Sequence, residues 1–202
     1  MPRTFVAVIV IALSVISCKE SLGGRSFPQD EIREADLAFR CGEGVFSRMV
    51  TAAGECSVYS HVGIVVRDSD RWRVVHAVPR EREFPGDFDR VKVEDLDVFF
   101  SEERACKGCL VHTGLADEQA VKALCGKALA AAADSLHFDN DYDLDDSSSV
   151  YCTEFVWRLF KDRGTDLSEG RRRKVHVLHI DSEIILPEHL LAYKDNDIYY
   201  SF

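Results

Sequence analysis

Tyr59-Ser60-His61-Val62-Gly63-Ile64-Val65-Val66 reads as the body of a β-strand, with Tyr59, His61, Gly63 and Val65 on one face by the period of two. The strand is expected over Val58 to Arg67. Asp68-Ser69-Asp70 makes a turn, and Trp72 to Val78 returns as its hairpin partner. On that return strand Arg73, Val75 and Ala77 share one face, and Trp72, Val74, His76 and Val78 the other. Farther along, Tyr151-Cys152-Thr153-Glu154-Phe155-Val156-Trp157 reads as the start of a helix that Gly164 stops. A histidine and a cysteine on facing elements can form a thiolate nucleophile with its base. At a helix start the free amide N–H groups favour a negative charge and can hold an oxyanion. His76, on the neighbouring strand, is placed to orient the His61 ring as the third member of a triad does. Each residue also has a plain structural reading: Cys152 as a buried thiol, His61 and His76 as satisfied sheet histidines.

The rest of the chain fits one domain. At 202 residues it can bury a sizeable core, and its 46% apolar and 30% charged content does not suggest disorder. The net charge of −10 and the lack of a sustained basic stretch disfavour nucleic acid as a partner. Arg171-Arg172-Arg173-Lys174 is the exception and reads as a solvated loop, or else as a contact for anionic lipid or wall polymer. Ile32 to Arg40 is expected as a first strand, Val45 to Ala53 as a short helix ended by Gly54, and Pro79 to Asp89 as irregular. Val91 to Phe100 begins as a strand and ends in a short helix, and Leu110 to Thr113 is a further strand. The clearest helix follows Asp117 as N-cap, with Val121, Leu124, Cys125, Ala128, Leu129 and Ala132 on one stripe. Phe138 to Ser149 is acidic and turn-rich. Lys174 to Ile180 is strand-like, and Ile184 to Tyr193 is interrupted by Pro187. Strands and helices mix without regular βαβ alternation, which gives an α+β class.

Residues 1–18 read as a leader. Arg3 is followed by an apolar run over Phe5 to Ile16, too short to span a bilayer, and Val15-Ile16-Ser17-Cys18 has the pattern of a bacterial lipobox. Cys18 is then the lipidation site, residues 19–30 a tether, and residues 31–202 the folded domain. The expected location is the bacterial cell envelope, lipid-anchored, on the outer membrane or facing the periplasm where there are two membranes. In that oxidising setting Cys41 with Cys56, and Cys106 with Cys109, are the economical disulfide pairings, and Cys125 belongs to the core. Cys106-Lys107-Gly108-Cys109 has no second cysteine pair to complete a zinc site. Asp139, Asp141, Asp143, Asp145 and Asp146 lack the loop glycine and final glutamate of a calcium-binding EF-hand. No metal and no cofactor is expected.

Taken together, the motifs resemble the permuted papain-like amidases, the YiiX/YaeF group related to NlpC-type hydrolases. Tyr59-Ser60-His61-Val62-Gly63-Ile64-Val65 is similar to the group's first signature, and Tyr151-Cys152-Thr153-Glu154-Phe155-Val156-Trp157 to its Tyr-Cys-Ser-Glu-Leu-Val-Trp. Phe138 to Asp146 resembles the acidic segment before the cysteine, and Ala35-Asp36-Leu37-Ala38-Phe39 the opening Gly-Asp-Leu strand. The resemblance spans about Ile32 to Pro187. It implies a circularly permuted papain-like (NlpC-type) α+β fold, with an antiparallel sheet packed against the nucleophile helix and the histidine ahead of the cysteine. It also implies Cys152 as nucleophile and His61 as base. His76 stands where the group usually carries glutamate, and Phe138 where it tends to have tyrosine. If a tyrosine hydroxyl helps hold the oxyanion, Tyr142 and Tyr59 are the substitutes. Glu154, two residues from Cys152, does not face it on a helix and reads as a supporting residue.

The resulting expectation is a cell-envelope lipoprotein thiol hydrolase, an amidase or peptidase working through a Cys152 acyl-enzyme. Its partners are a peptide or acyl-amide substrate (a peptidoglycan fragment or a lipid) and the membrane. A non-catalytic lipid- or wall-fragment-binding lipoprotein and an acyltransferase using the same cysteine are the alternatives.

Overall fold

The structure is a computed structural model that describes residues 25–177 and 180–202. The expected leader and the lipidated Cys18 lie outside the described residues. Among the described residues, no helix is long and apolar enough to cross a membrane. In chain order the elements are β1 (Leu37–Cys41), α1 (Val45–Ala53), β2 (His61–Asp68), β3 (Arg71–Val78), β4 (Arg90–Asp95), α2 (Leu96–Phe99), β5 (Lys107–His112) and α3 (Glu118–Ala133). There follow β6 (His137–Phe138), β7 (Ser149–Val150), α4 (Cys152–Lys161), β8 (Arg173–Val177), β9 (Ile180–Ile184), α5 (Pro187–Leu191) and β10 (Asp197–Ser201).

The β2–β3 hairpin forms where its alternation and Asp68-Ser69-Asp70 turn predict, with Ile64 opposite Val75 and Val65 opposite Val74. Gly63 is needed there: a Cβ added to it would come 2.4 Å from a Val74 methyl and 2.9 Å from the His76 Cβ, well inside contact distance. The hairpin lies in the middle of a sheet ordered β10-β5-β1-β2-β3-β4-β6-β7, antiparallel apart from the short β6–β7 pair. A separate hairpin joins β8 and β9.

Each face of the sheet carries its own core. Phe39, Val62, Ile64, Val66, Val75 and Ala77 pack with Leu124, Cys125 and Ala128 of α3 and with Phe155, Val156 and Phe160 of α4. On the other face Ala38, Val65, Val74 and Leu110 pack with Leu96 and Phe99 of α2, and with Phe27 and Phe100. The α3 stripe is buried as its spacing predicts, and the Asp117 carboxylate accepts from the amides of Gln119 and Ala120.

Several expectations shift. The first strand starts at Leu37 rather than Ile32, because Ala35 takes a left-handed φ of 67° that bends the chain just ahead of it. The tether cannot run to residue 30: Phe27 is in a core, and the Arg25 guanidinium stacks 3.8 Å over the Phe202 ring. Phe27 also packs against Tyr200 at 5.6 Å, so residues 25–27 and the β10 segment lie together. β10 itself was not expected; it zips onto β5, and Gly108 and Phe202 exchange backbone hydrogen bonds of 3.0 and 3.3 Å. Neither economical disulfide pairing forms. Cys109 is buried in β5 beside Tyr59, and the amide of Cys56 is turned to the Glu188 carboxylate at 3.0 Å, leaving all six described cysteines as thiols.

Candidate active site

Cys152 is the first residue of α4, and its helix start is held from both sides. The Tyr151 amide donates to the buried Glu154 carboxylate at 3.2 Å, closing one half of a capping box. Arg158, one turn on, bonds the same carboxylate at 2.7 Å and also the carbonyls of Leu144 and Asp146. Burial outweighs the Arg158 cation and pushes the Glu154 carboxyl up to about 7. The Thr153 hydroxyl donates to the Ile185 carbonyl, and the Ile185 amide donates to the Tyr151 hydroxyl, so the segment after β9 is pinned across the helix start.

The thiol and the His61 ring border one small cavity of about 30 Å3, walled by Phe46, Val50, Phe138, Tyr142 and the Ile184–Pro187 segment. They reach it from different sides. His61 belongs by alternation to the α2 face and packs against Phe99 at 5.8 Å, whereas α4 lies on the opposite face. Both line the cavity because His61 is the first residue of β2, at the end of its strand, but no hydrogen bond joins the sulfur to the imidazole. The polar neighbours of the sulfur are amides, those of Val62, Thr153 and Cys152 itself, rather than the imidazole. Burial outweighs them and pushes the thiol up to about 11. The His61 ring is held well below its ordinary value, by burial first and then by the Arg40 cation and His76. The resting pair is therefore a neutral thiol and a neutral imidazole, not an ion pair.

Behind His61 runs a buried polar line. Its Nε2 lies 2.8 Å from Nδ1 of His76, with the rings edge to face at 5.0 Å. His76 Nε2 lies 3.2 Å from Oε2 of Glu94, close in distance but off the hydrogen-bond line. The other Glu94 oxygen is bonded by Arg104, and Arg104 and Arg40 share Glu81. Burial alone would raise the Glu94 carboxyl, but His76 and Arg104 together bring it down to about 2, so it is ionised. With Nε2 of His76 protonated toward that carboxylate, its Nδ1 accepts from His61 Nε2–H, and His61 Nδ1 keeps a free lone pair.

Glu94 is the site residue that the motifs did not single out. It sits on β4 between Val93 and Asp95, where alternation suggests a solvent-facing charge, yet it and Lys92 are buried on the α2 face. Of the two tyrosines, Tyr142 borders the cavity. Asp139 accepts from the amides of Asp141 and Asp143, folding the acidic loop back so that Tyr142 takes a φ of 56°, and its buried hydroxyl has no partner among the described residues. Tyr59 is not placed for an oxyanion role: it packs on Phe39 at 5.9 Å, and its hydroxyl meets the Cys109 thiol. A larger groove of about 300 Å3 adjoins the cavity at Phe46, Ser60, His61 and Pro79 and runs out past Arg40 and Arg104, and another of about 1140 Å3 lies away from the site, past Asp36, His112 and Leu115.

No family model matches the chain, and no curated protein matches it. Among solved structures it is similar to the metalloprotein YiiX from Escherichia coli O157:H7, with a TM-score of 0.68 at 16% identity over 84% of this chain and 97% of that one. The chain has a YiiX-like fold. At that identity the likeness carries the mixed α+β architecture and its curled sheet. That relative is described as a metalloprotein; among the described residues here, no group of three or more His, Cys, Asp or Glu side chains is arranged to hold a metal ion.

Proposed function

We propose that this chain is a cysteine hydrolase of permuted papain-like fold that cleaves an amide bond through an acyl-enzyme. The observation that carries the reading is the line Glu94–His76–His61 ending at the cavity that Cys152 borders. Proton transfer and attack are then concerted: His61 Nδ1 takes the thiol proton as the sulfur adds to the carbonyl, since the resting thiol is neutral. The imidazolium that forms is compensated through His76 by the Glu94 charge, the carboxylate that a histidine in the third position would otherwise lack. The Cys152 and Thr153 amides and the unpartnered Tyr142 hydroxyl are available to the oxyanion. The amine leaves with the proton from His61, and water releases the acyl group. The apolar walls suit an aliphatic or aromatic group beside the scissile carbonyl, as in an acyl-amide or a wall peptide. The 30 Å3 cavity at Cys152 holds about one water molecule, so the bulk of such a group lies in the adjoining groove of about 300 Å3 at His61.

An N-terminal lipid on Cys18 would hold this site at the membrane of a bacterial envelope. Labelling of the full chain with a fatty-acid probe, lost in Cys18→Ala, checks that part separately.

The apolar cavity walls and the neutral thiol also favour a second reading, non-catalytic binding of an apolar ligand. Intact-mass analysis after exposure to an activated acyl ester separates the two. Hydrolysis predicts an acyl adduct on Cys152 that forms fast in the native chain, slows at least tenfold in His61→Ala and is absent in Cys152→Ala. An adduct rate that ignores His61, with an apolar ligand carried unchanged through purification, sinks the enzyme reading.

A further inference from the structure

We propose that Cys41 and Cys106 are a redox pair that closes into a disulfide across the β1–β5 seam. Cys41 is the last residue of β1, opposite Lys107 at the start of β5. Cys106, just before β5, donates its amide to the Cys41 carbonyl at 2.8 Å and turns its thiol to the same oxygen at 3.1 Å. The Cys41 thiol turns to the Gly42 carbonyl at 3.5 Å, and the neighbouring Cys106 thiol helps burial push it above its ordinary range. Residues joined by a backbone hydrogen bond across paired strands hold their Cα atoms within the span that a disulfide bridges. Cys106 is exposed and Cys41 half-buried, so a small reagent reaches the pair. The remaining thiols are placed differently: Cys109 and Cys125 are buried, Cys56 sits beyond α1 next to Glu188, and Cys152 lines the cavity.

A low-molecular-weight disulfide is a sufficient oxidant. The Cys106 thiolate attacks one of its sulfurs, forming a mixed disulfide and releasing one small thiolate, which takes up the proton Cys106 gave. The Cys41 thiolate then attacks the Cys106 sulfur and releases the second small thiol. Two protein thiols are oxidised by two electrons, and the reagent disulfide is reduced to two thiols. The bridge joins segments that carry Arg40 and Arg104, the two arginines that share Glu81. Closing it therefore fixes the charged frame behind His76. The pairing itself is independent of the catalytic reading, and only this consequence rests on it.

Trypsin separates the four cysteines in question, because cleavage after Arg40, Arg48, Arg104 and Lys107 puts Cys41, Cys56, Cys106 and Cys109 on different peptides. The full chain is incubated with oxidised glutathione, alkylated, digested and mass-mapped without reduction. The expected product is the 41–48 peptide linked to the 105–107 peptide, lost on treatment with dithiothreitol. In Cys41→Ser, Cys106 should instead stay as the glutathione adduct, and circular dichroism confirms that the variant is folded. Linkage of Cys41 to Cys56 or of Cys106 to Cys109, a stable glutathione adduct on native Cys106, or no linkage after full oxidant exposure overturns the proposal.

Discussion

Glu94 is the residue whose charge can be removed with least change of shape. Glu94→Gln keeps the volume behind His76 but takes away the anion that compensates an imidazolium. The expected result is a loss of acylation rate of about tenfold. The acid limb of the rate profile should also move to lower pH, because a base without its carboxylate holds its proton less tightly. A purely structural role would lower the melting temperature and leave that limb in place. Sequence patterning made His61 and Cys152 legible because each lies in a compact motif. Glu94 was hidden because a charged residue alternating with valines on a strand ordinarily faces water. Here α2 folds back over that face, and Phe99 packs at 5.1 Å against His76, so the charge is roofed by a contact distant in pattern though near in chain.

At the scale of elements, the β2–β3 hairpin sets the distance between the two histidines. Gly63→Ala drives a methyl group into Val74 and the His76 Cβ, both part of the sheet framework. Overpacking of this kind costs about 1–3 kcal/mol, read as a lower midpoint in denaturant with an unchanged slope. It should also weaken the 2.8 Å contact between the rings, so that the imidazole NMR signals of His61 and His76 change together. The hairpin, α1 and α3 were readable because each combines a periodic pattern with a stop or cap: Asp68-Ser69-Asp70, Gly54 and Asp117. Of the β8–β9 hairpin only Lys174 to Ile180 was read as a strand, because no glycine or proline in that stretch signals a return arm. β10 was missed because five residues at a sheet edge have too little alternation to stand out, and their stability comes from pairing with β5.

Across the whole molecule, four buried groups around the site couple its chemistry to its folding. His61 and His76 both sit below the ordinary 6.5, so the folded chain binds fewer protons there than the unfolded one. Their contribution is complete above pH 6.5 and is lost as the pH falls below it. Glu94, lowered from 4.5 to about 2, adds a further loss between those values. Glu154, raised from 4.5 to about 7, acts in the opposite sense, since its proton stabilises the fold and is given up as the pH rises through 7. In a melting-temperature series His76→Gln should therefore flatten the fall just below pH 6.5, whereas Glu154→Gln, which removes the opposing group, should steepen the fall between pH 7 and 4.5. The α+β class was legible from the mixture of patterns, whereas the double core was not: one apolar face per strand predicts one buried side, and only the covering of the second face by α2 and residues near both ends of the described chain reveals the other.

The contact of Phe27 with Tyr200, and of Arg25 with Phe202, has a constructive use. A short flexible splice from Phe202 to Arg25, with a new opening cut in the exposed turn around Gly114 and Ala116, would produce a reordered chain in which the sulfur-bearing helix is synthesised before the imidazole-bearing strand. Since every pairing of the sheet would survive that rewiring, the reordered chain should melt cooperatively, and under the proposed chemistry it should form the same acyl adduct whichever motif comes first along the chain.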